Sequence, residues 1–471
     1  MAKPATIKAA VAVLFVVLLA AVGLTVWSGS EKTQILGPTH LAQDSEGRVW
    51  VIANSTLYLL DAEGALLRRW TRGQLPIPPD WSGLAAYDQG RVLMGSLGSS
   101  KVYRVDDQGR VETIIDPAAT SAGRFFSVYS LAWDPVSGRI LVSDTSNHRL
   151  LAFDASGSLL SQAGGSQGGP YNYPNALGMA PDGRLFVANT NHHRVDWLSP
   201  ALSPGEPLAL HDRGRMRCCS WSMAAAVAPG GQRYASFLDN GMSAGQVYQF
   251  DSEGVMLYEL SLPNPRPWVT SLLARRSDLL LADTSAEGFR IHHFNHTPRL
   301  LGEFGDAAFR QQMGQAREQR QSYARLQKLG QGLALLSGVG LLLGALLLRR
   351  AEAMAATGGG DDNDAMQRTQ AIEPYPPRRF EDGLAANRQA LMLGLLFPGL
   401  GQFRQRRLTP GIAFLVAGLG FGWNGFMVLY TVLTRTAEVD PKLLYGSLMV
   451  VILVWVASLV DTARNAPAAD A

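Results

Sequence analysis

Cysteine is almost absent from this sequence. Its 471 residues include only two, Cys218 and Cys219, which are adjacent in the stretch RMRCCSW. A disulfide framework joins cysteines that are separated along the chain, so disulfides do not hold this fold together. CxxC pairs and the Cys/His spacings typical of zinc sites are also missing. We interpret the two residues as small, partly buried thiols in a loop, with a bridge between the two neighbours as the alternative.

The net charge is small as well, since 42 lysines and arginines against 39 acidic residues leave +3 at pH 7. The basic footprint typical of nucleic-acid binding is therefore missing, and we expect no nucleic-acid partner. The sequence also lacks a nucleophile elbow, a Walker loop, an HExxH pair and a dinucleotide fingerprint. These absences give no ground for assigning an activity, so we expect a non-catalytic protein without a cofactor or a bound metal.

Long apolar segments lie towards the two ends of the chain. Residues 9–27 carry no charge and follow Lys3 and Lys8. At about 1.5 Å per residue, a helix of this length spans the hydrocarbon core of a bilayer, which is about 30 Å thick. We predict that residues 1–30 form a retained signal anchor. A signal peptide cleaved near Ser28-Gly29-Ser30 is the alternative.

The middle of the chain repeats itself. Six times, a Gly-Arg-like turn leads into a short apolar strand, and a polar turn then leads into a second strand. Such a period predicts a repeat architecture. About four short strands fit into one repeat, and six such sheets around an axis bury the faces that a single sheet leaves exposed. The aligned ends of the first strands recur every 43 to 49 residues, at Ala53, Ser96, Asp144, Asn189, Leu238 and Asp283.

We therefore predict an all-β six-bladed β-propeller over residues 34–305, with α-helical transmembrane segments outside it. Turns such as DSEG, DDQG and DASG support the strand assignment, because Asp starts a turn and Gly provides a positive φ. We expect the terminal segments TQILGPTHLAQD and RLLGEFG to complete one blade together and so close the ring.

Two of the repeats carry a family resemblance. GRILVSDTSNHRLLAFDASG and GRLFVANTNHHRVDWLS resemble NHL repeats, in which a strand ending in Val-x-Asp precedes a Thr-x-Asn-x-Arg turn, an apolar strand and Asp-x-x-Gly. The other four repeats match in spacing and turns but lack the Asn-His-Arg core. The resemblance implies a propeller. It leaves activity open, since NHL-like propellers include an amidating lyase and, more distantly, calcium-dependent lactonases with a metal in the channel.

The strand-end and turn residues therefore have two interpretations. In the favoured one, Asp144 and Asn189 hydrogen-bond the following turn, and the His-Arg side chains tie adjacent blades together (His148, His192, Arg149 and Arg194). In the other, a histidine (His148, His192 or His193) lines a metal or catalytic centre, and Asp144, Asn189 and Asp283 face the channel. A metal needs about three converging ligands, and we find no such set. The candidate binding residues are Asp144, Asn189, Asp283, His148 and His192.

The longest insertion between repeats, residues 199–222, is the favoured contact loop. It contains both cysteines, a tryptophan and several cations. A loop presented by a rigid scaffold is a typical binding element; drift of an unconstrained surface segment is the alternative. The candidate binding residues in this loop are Arg213, Arg215, Arg217 and Trp221.

The C-terminal part changes character. Residues 306–350 predict an amphipathic stalk helix that runs into a transmembrane helix, in which Gly340 and Gly344 would permit close helix packing. Residues 351–387 are a flexible linker by composition. Residues 388–466 resemble TM2-like membrane hairpins, on the motifs PGLGQF and SLVDTAR, with a short re-entrant or interfacial segment. Asp461 either pairs with Arg404, Arg406 or Arg464, or is solvated at the interface.

The positions of the lysine and arginine side chains predict how the chain is oriented in the membrane. Arg349, Arg350 and the RQRR segment 404–407 satisfy the positive-inside tendency if they are cytoplasmic. The propeller is then periplasmic, on a multi-pass protein of the bacterial inner membrane. Five cations between residues 310 and 328 disagree with this orientation. We expect them to contact membrane lipid, and a cytoplasmic propeller is the alternative.

These features predict a non-catalytic binding or scaffold protein for an envelope protein or glycan, with other envelope or membrane proteins as partners. The alternatives are a metal-dependent lyase or lactonase-like enzyme that uses the propeller channel, and a subunit of a multi-component membrane complex.

Overall fold

A computed structural model describes residues 4–357 except 79, 89, 127, 167–168, 213, 217 and 242–243, together with 402, 410–412, 414 and 453–461. The chain divides into two compact units. The propeller unit comprises residues 29–324, and the helical unit comprises residues 1–28 and 325–471. Most of the predicted linker and of the TM2-like segment lies outside the described residues.

The propeller unit contains six four-stranded antiparallel sheets, which confirms the predicted six-bladed fold. Blades 1 and 2 consist of β1 (Pro38–Gln43), β2 (Val49–Ala53), β3 (Thr56–Leu60), β4 (Leu66–Thr71), β5 (Trp81–Asp88), β6 (Arg91–Ser96), β7 (Lys101–Asp106) and β8 (Val111–Ile115). Blades 3 and 4 consist of β9 (Val128–Asp134), β10 (Arg139–Asp144), β11 (Arg149–Asp154), β12 (Leu159–Gly164), β13 (Pro174–Met179), β14 (Leu185–Asn189), β15 (Arg194–Leu198) and β16 (Pro204–Leu210). Blades 5 and 6 consist of β17 (Trp221–Val227), β18 (Arg233–Leu238), β19 (Gly245–Phe250), β20 (Met256–Glu259), β21 (Val269–Ala274), β22 (Asp278–Asp283), β23 (Arg290–Asn295) and β24 (Leu300–Phe304).

The core lies between the blades. Each of the six seams, the interfaces between adjacent blades, contains its own cluster of buried apolar side chains. In β2, Trp50 and Ile52 face blade 2, whereas Val49 and Val51 face blade 6. Successive side chains of a strand point to opposite faces, and both faces of β2 are covered. The second strand of a blade is therefore continuously apolar, and this is the pattern that recurs in the sequence.

The aligned sequence positions have a common location, because each of the six is the last residue of the second strand of its blade. The predicted closure of the ring is wrong, however. Each sheet consists of four strands that are consecutive in sequence, so the terminal strands β1 and β24 lie in different blades. Pairing β1 with the adjacent β2 closes only a short loop and costs less chain entropy than pairing it with β24.

The seam between blades 6 and 1 is instead closed by packing and by a helix. Helix α1 spans Pro4–Gln34 and helix α2 spans Ala307–Thr357. Phe309, in the first turn of α2, is fully buried among Val51, Leu280 and Phe304, and its ring meets the edge of Tyr58 at 5.1 Å between centroids. The start of the helix thus fills the seam at which the first and the last blade of the propeller meet.

Asp306 fixes this helix start. One carboxylate oxygen accepts from the backbone N–H of Phe309 at 2.8 Å, which caps the helix. The other accepts from the N–H of Leu66 in blade 1 at 3.0 Å. These backbone hydrogen bonds lower the pKa of Asp306. A single side chain therefore holds both the helix and the first blade.

The turn glycines between the third and fourth strands also lie at seams. Gly157 has φ 86°, and a Cβ there would overlap the carbonyl oxygen of Ile114 in the preceding blade. Gly64 has the same role at the closing seam, where its Cβ would lie 2.8 Å from the backbone nitrogen of Gly305. Glycine is required at these turns both by the left-handed backbone and by the approach of the neighbouring blade.

Among the described residues, two helices are long and apolar enough to cross a membrane, Thr6–Gln34 and Ala307–Ala351, and the larger part of each belongs to the helical unit. The predicted close packing at the two glycines is confirmed. A Cβ on Gly340 would lie 3.0 Å from a methyl of Leu14, and one on Gly344 would lie 2.7 Å from a methyl of Val11. The absence of side chains at these positions therefore lets α1 and α2 approach closely.

The two motifs on which we predicted a TM2-like segment meet in this unit. The Nε2 of Gln402, from PGLGQF, donates to the carbonyl of Ser458 at 2.7 Å and to the carboxylate of Asp461 at 3.2 Å. Gln402 and Ser458 are fully buried. The arginines that we expected to pair with Asp461 lie outside the described residues.

Two alanine substitutions separate backbone strain from seam packing. Gly183 has φ 85°, nearly that of Gly157, but no atom lies within 4 Å of its added Cβ. Gly183→Ala should lower the free energy of unfolding by about 1–2 kcal/mol through backbone strain alone. Gly157→Ala should cost about 1–3 kcal/mol more, because the blades must move apart. Thermal unfolding of the detergent-solubilised full chain checks this, and equal losses would contradict the proposed seam contact.

Candidate functional site

The first strands of the six blades surround a central cavity. They are neighbours around the axis, and a cavity of about 210 Å³ lies among them. Five of its polar lining residues are Thr39, Ser82, Ser130, Asn175 and Thr270. Each first strand also has a register shift near its beginning, and such bulges re-aim side chains. The bulged residues Thr39, Asn175 and Thr270 line the cavity.

Two of these polar residues, Ser130 and Thr270, bond to a neighbouring blade, as does Ser271, which also lines the cavity. Ser271 Oγ accepts from the N–H of Leu41 at 3.0 Å, and Ser130 Oγ accepts from that of Leu177 at 2.9 Å. Thr270 Oγ1 donates to the carbonyl of Thr39 at 3.0 Å. These bonds connect the inner strands around the axis.

His40 is the titratable side chain among the described residues that line the cavity. Its Nε2 lies 3.1 Å from the N–H of Gly83, and its Nδ1 lies 3.0 Å from the hydroxyl of Thr39. Because Nε2 accepts from a backbone N–H, the ring takes the neutral tautomer with its proton on Nδ1. The lining is therefore uncharged.

Asp144 and Asn189 hold the backbone that enters their own blade. Asp144 Oδ1 accepts from the N–H of Phe126 at 2.9 Å, and Asn189 Oδ1 accepts from that of Asn172 at 2.9 Å. Asp144 also receives a hydrogen bond from Arg149 at 2.8 Å. Both are buried and are not among the described residues that line the cavity. We predicted hydrogen bonds to the turn after each strand, but the backbone N–H groups that these two side chains accept from lie in the loop that enters the blade.

Asp283 has the equivalent position in blade 6. It accepts from the backbone N–H of Trp268 and of Ser285, both at 3.0 Å, and lies 3.3 Å from Nε2 of His292. Burial raises the pKa of this carboxyl, but the hydrogen bonds from His292, Ser285 and Trp268 outweigh burial and lower it to about 2. Asp283 is thus a charged anchor for the segment that carries Trp268.

The structure corrects the histidine alignment. His148 and His193 are equivalent, since each follows a single-turn 3₁₀ helix, Thr145–Asn147 or Thr190–His192, and has a left-handed backbone. Each contacts the next blade, His148 through the N–H of Tyr173 at 3.2 Å and His193 through the carbonyl of Ser220 at 3.0 Å. His192 instead lies 3.1 Å from the carbonyl of Gly169 in its own blade. In both motifs, the histidine directly before the arginine, His148 or His193, is the residue that bonds to the next blade.

The insertion 199–222 is only partly a loop. It contains β16, whose two prolines concealed an outer strand in the sequence. Arg215 donates to the carbonyl of Met256 at 2.9 Å, and the indole N–H of Trp221 donates to Asn240 at 2.9 Å. Arg213 and Arg217 lie outside the described residues. The expectation of two separate thiols is wrong, since the structure joins Cys218 to Cys219 in a disulfide.

The residue directly after the strand end was not among the predicted site residues. This residue is threonine in blades 3, 4 and 6, at Thr145, Thr190 and Thr284. Thr145 Oγ1 donates to the carbonyl of Pro174 and Thr190 Oγ1 to that of Ser222, both at 2.7 Å and both in the next blade. Thr284 is 1% exposed and lines the cavity, and its hydroxyl has no hydrogen-bond partner among the described residues.

In the described part of the chain, no three His, Cys, Asp or Glu side chains are close enough to share a metal ion. The residues proposed for the channel interpretation are instead distributed among separate blade contacts. The geometry of the described residues therefore favours their structural interpretation.

No family model and no curated protein matches the chain. It is similar to solved structures that include virginiamycin B lyase from Staphylococcus aureus, with 15% identity and a TM-score of 0.42 over 57% of this chain and 85% of that one. A nidogen/laminin complex matches with 13% identity and a TM-score of 0.41, over 58% and 94%. A gluconolactonase from Xanthomonas campestris matches with 20% identity and a TM-score of 0.37, over 48% and 76%.

The lowered pKa of Asp283 predicts a pH dependence of stability. Its folded pKa of about 2 lies below the ordinary aspartate pKa of 3.8, so the ionised carboxyl stabilises the fold above about pH 4 and loses this effect as the pH falls towards 2. Asp283→Asn should therefore lower the free energy of unfolding by about 2 kcal/mol at pH 7. The difference from wild type should shrink at pH 3.

Unfolding of the full chain at both pH values measures this difference. Glu253→Gln, which removes an exposed carboxylate, is the control and should change little. A loss for Asp283→Asn that is the same at both pH values would contradict the role of the charge.

Proposed function

We propose that this protein is a membrane-anchored, periplasmic NHL-type propeller of the bacterial inner membrane that acts as a non-catalytic binding or scaffold protein for an envelope protein or glycan. The TM2-like segment completes its multi-pass anchor. Its partners are membrane lipid and other envelope or membrane proteins, and nucleic acid is not among them.

The observation that carries this proposal is how the conspicuous polar residues are used. Asp144, Asn189 and Asp283 are buried, and each accepts a hydrogen bond from a backbone N–H at the entrance to its own blade. A side chain with its acceptors committed in this way is poorly placed to act as a general base or metal ligand. The polar motif therefore stabilises a rigid ring, and a rigid ring presents loops and a channel for binding.

The two long apolar helices support membrane anchoring. The periplasmic orientation rests on Arg349 and Arg350, near the end of α2, and on the RQRR segment 404–407, all taken as cytoplasmic. Arg320, one of the cations that disagreed with this orientation, lies 5.5 Å above the ring of Phe289, and its guanidinium donates to the carbonyl of Thr284 at 3.4 Å. Its packing on the propeller removes one objection to a periplasmic location.

Crosslinking and metal analysis test the proposal together. The full-length protein and a form lacking residues 388–471 are crosslinked in intact membranes and purified. A scaffold propeller should retain the same envelope partner in both forms, without a stoichiometric metal. Loss of the partner with residues 388–471 would instead assign the activity to a membrane complex.

Asp144→Asn and Asp283→Asn provide the matched variants for the enzyme alternative. Under our proposal, folded protein carrying either change still binds its partner. One bound metal per chain that disappears in these folded variants, together with a turnover activity, would overturn the proposal.

A further inference from the structure

We infer that the central cavity binds a neutral, hydroxyl-rich ring of monosaccharide size, such as the terminal sugar of an envelope glycan. This inference deepens the proposed function, on which it rests, by naming a site and a ligand class.

The first argument is the lack of charge. Among the described residues that line the cavity, none is Asp, Glu, Lys or Arg, and the ring of His40 is held in a neutral tautomer. A charged ligand would lose its hydration without gaining a counter-charge, which is costly. A neutral ligand avoids this cost.

The second argument is the pair of unpartnered polar atoms. The hydroxyl of Thr284 and the indole N–H of Trp268 are both buried without a hydrogen-bond partner in the described part of the chain, and both residues line the cavity. An unpaired buried polar group costs about 1–3 kcal/mol, so native proteins seldom keep one without a reason. The two residues are adjacent, since the backbone N–H of Thr284 donates to the carbonyl of Trp268 at 3.0 Å.

The repeat itself shows that the Thr284 hydroxyl is exceptional. Its counterparts Thr145 and Thr190 each donate to the first strand of the next blade. At the closing seam, Thr270 donates to the carbonyl of Thr39 instead. The Thr284 hydroxyl is thereby left available in the cavity, where a ligand hydroxyl can pair with it.

The third argument is shape. A cavity of about 210 Å³ has room for about seven waters at their liquid volume, which suits a six-membered sugar ring. Trp81 and Trp268 supply aromatic surface for the apolar face of such a ring, while Thr39 and Asn175 supply polar groups. A second cavity of about 440 Å³ shares Leu36, Thr39 and Trp81 with the first and has room for further sugar units.

Asp283 then acts as a positioning residue. Its carboxylate accepts from the backbone N–H of Trp268 and precedes Thr284 in the chain. The sequence motif and the proposed site are thus linked. The buried Asp283 carboxylate holds the segment of Trp268 by a hydrogen bond, and Thr284 is its neighbour in the chain.

The test compares variants of equivalent threonines, with a tryptophan variant beside them. Thr284→Val and Trp268→Phe each remove one unpartnered polar group, and Trp268→Phe also removes aromatic surface. We expect the affinity for a neutral saccharide to fall about tenfold in either variant, while the free Thr284→Val protein, in which the side chain keeps its shape, is no less stable than wild type. Thr145→Val is the matched control. It breaks a blade-to-blade hydrogen bond away from the cavity lining, so it should lower stability and leave the affinity unchanged.

Binding is measured on the full-length protein in nanodiscs by calorimetry and tryptophan fluorescence. The probes are glucose, galactose and N-acetylglucosamine, with glucuronate as the charged counterpart. Saturable binding of a neutral sugar that is weakened in Thr284→Val and Trp268→Phe supports the inference. It is overturned if no neutral sugar binds at tens of millimolar, if glucuronate binds equally well, or if both variants bind like wild type.

These outcomes are separable from failure of the proposed function. If no sugar binds but the crosslinked envelope partner is still retained, only the inference fails. If the protein chemically converts the sugar, the site stands and the non-catalytic function fails.

Discussion

The packing of every blade against two neighbours is the interaction on which the structure depends. Each second strand is buried on both faces, and each seam has its own apolar cluster. A single four-stranded sheet would leave these faces in water, at a cost of roughly 25 cal/mol for each Å² of apolar surface. The ring is therefore stable only when it is complete. The polar motif follows from this constraint, because it fastens strand entrances and neighbouring blades at the places where apolar packing ends.

Closure is where such a ring is most vulnerable, and here it takes an unusual form. Each blade is built from four consecutive strands, so the first strand β1 and the last strand β24 of the propeller do not share a sheet. The start of α2 replaces that sheet, with Phe309 buried in the seam and Asp306 bonded to blade 1. The helix that continues into the apolar segment up to Ala351 is thus also the element that locks the ring. At the same seam, the Thr284 hydroxyl has no acceptor among the described residues, whereas its counterparts Thr145 and Thr190 have one.

The sequence was most informative where the signal was local and repeated. Strand ends such as Asp144 and Asp283 were located from spacing alone, because a strand buried on both faces needs a continuous apolar run and a turn directly after it. The close packing at Gly340 and Gly344 was also predictable from two glycines on one helix face. These features depend on a few neighbouring residues, so a single sequence contains them.

Features that depend on distant residues were missed. The seam location of Phe309 depends on residues about 250 positions away in sequence, and β16 was hidden by its prolines. The cavity lining comes from first strands, whose bulged sequences carry no repeat signature. One of these features was visible in the sequence. The threonine after the strand end recurs in blades 3, 4 and 6, as DTS, NTN and DTS. The unpartnered state of Thr284 is a property of the closed ring and has no counterpart in the sequence.

Native-state hydrogen exchange at two equivalent amides tests the closed ring most directly. The N–H of Leu41 donates to Ser271 across the closing seam, and that of Leu177 donates to Ser130 across the seam between blades 3 and 4. If the helix start closes the ring as tightly as ordinary blade packing, both amides should exchange only on global unfolding, with equal protection. Exchange of Leu41 at a clearly lower free energy than Leu177 would show that the ring opens at this seam, and would contradict the account.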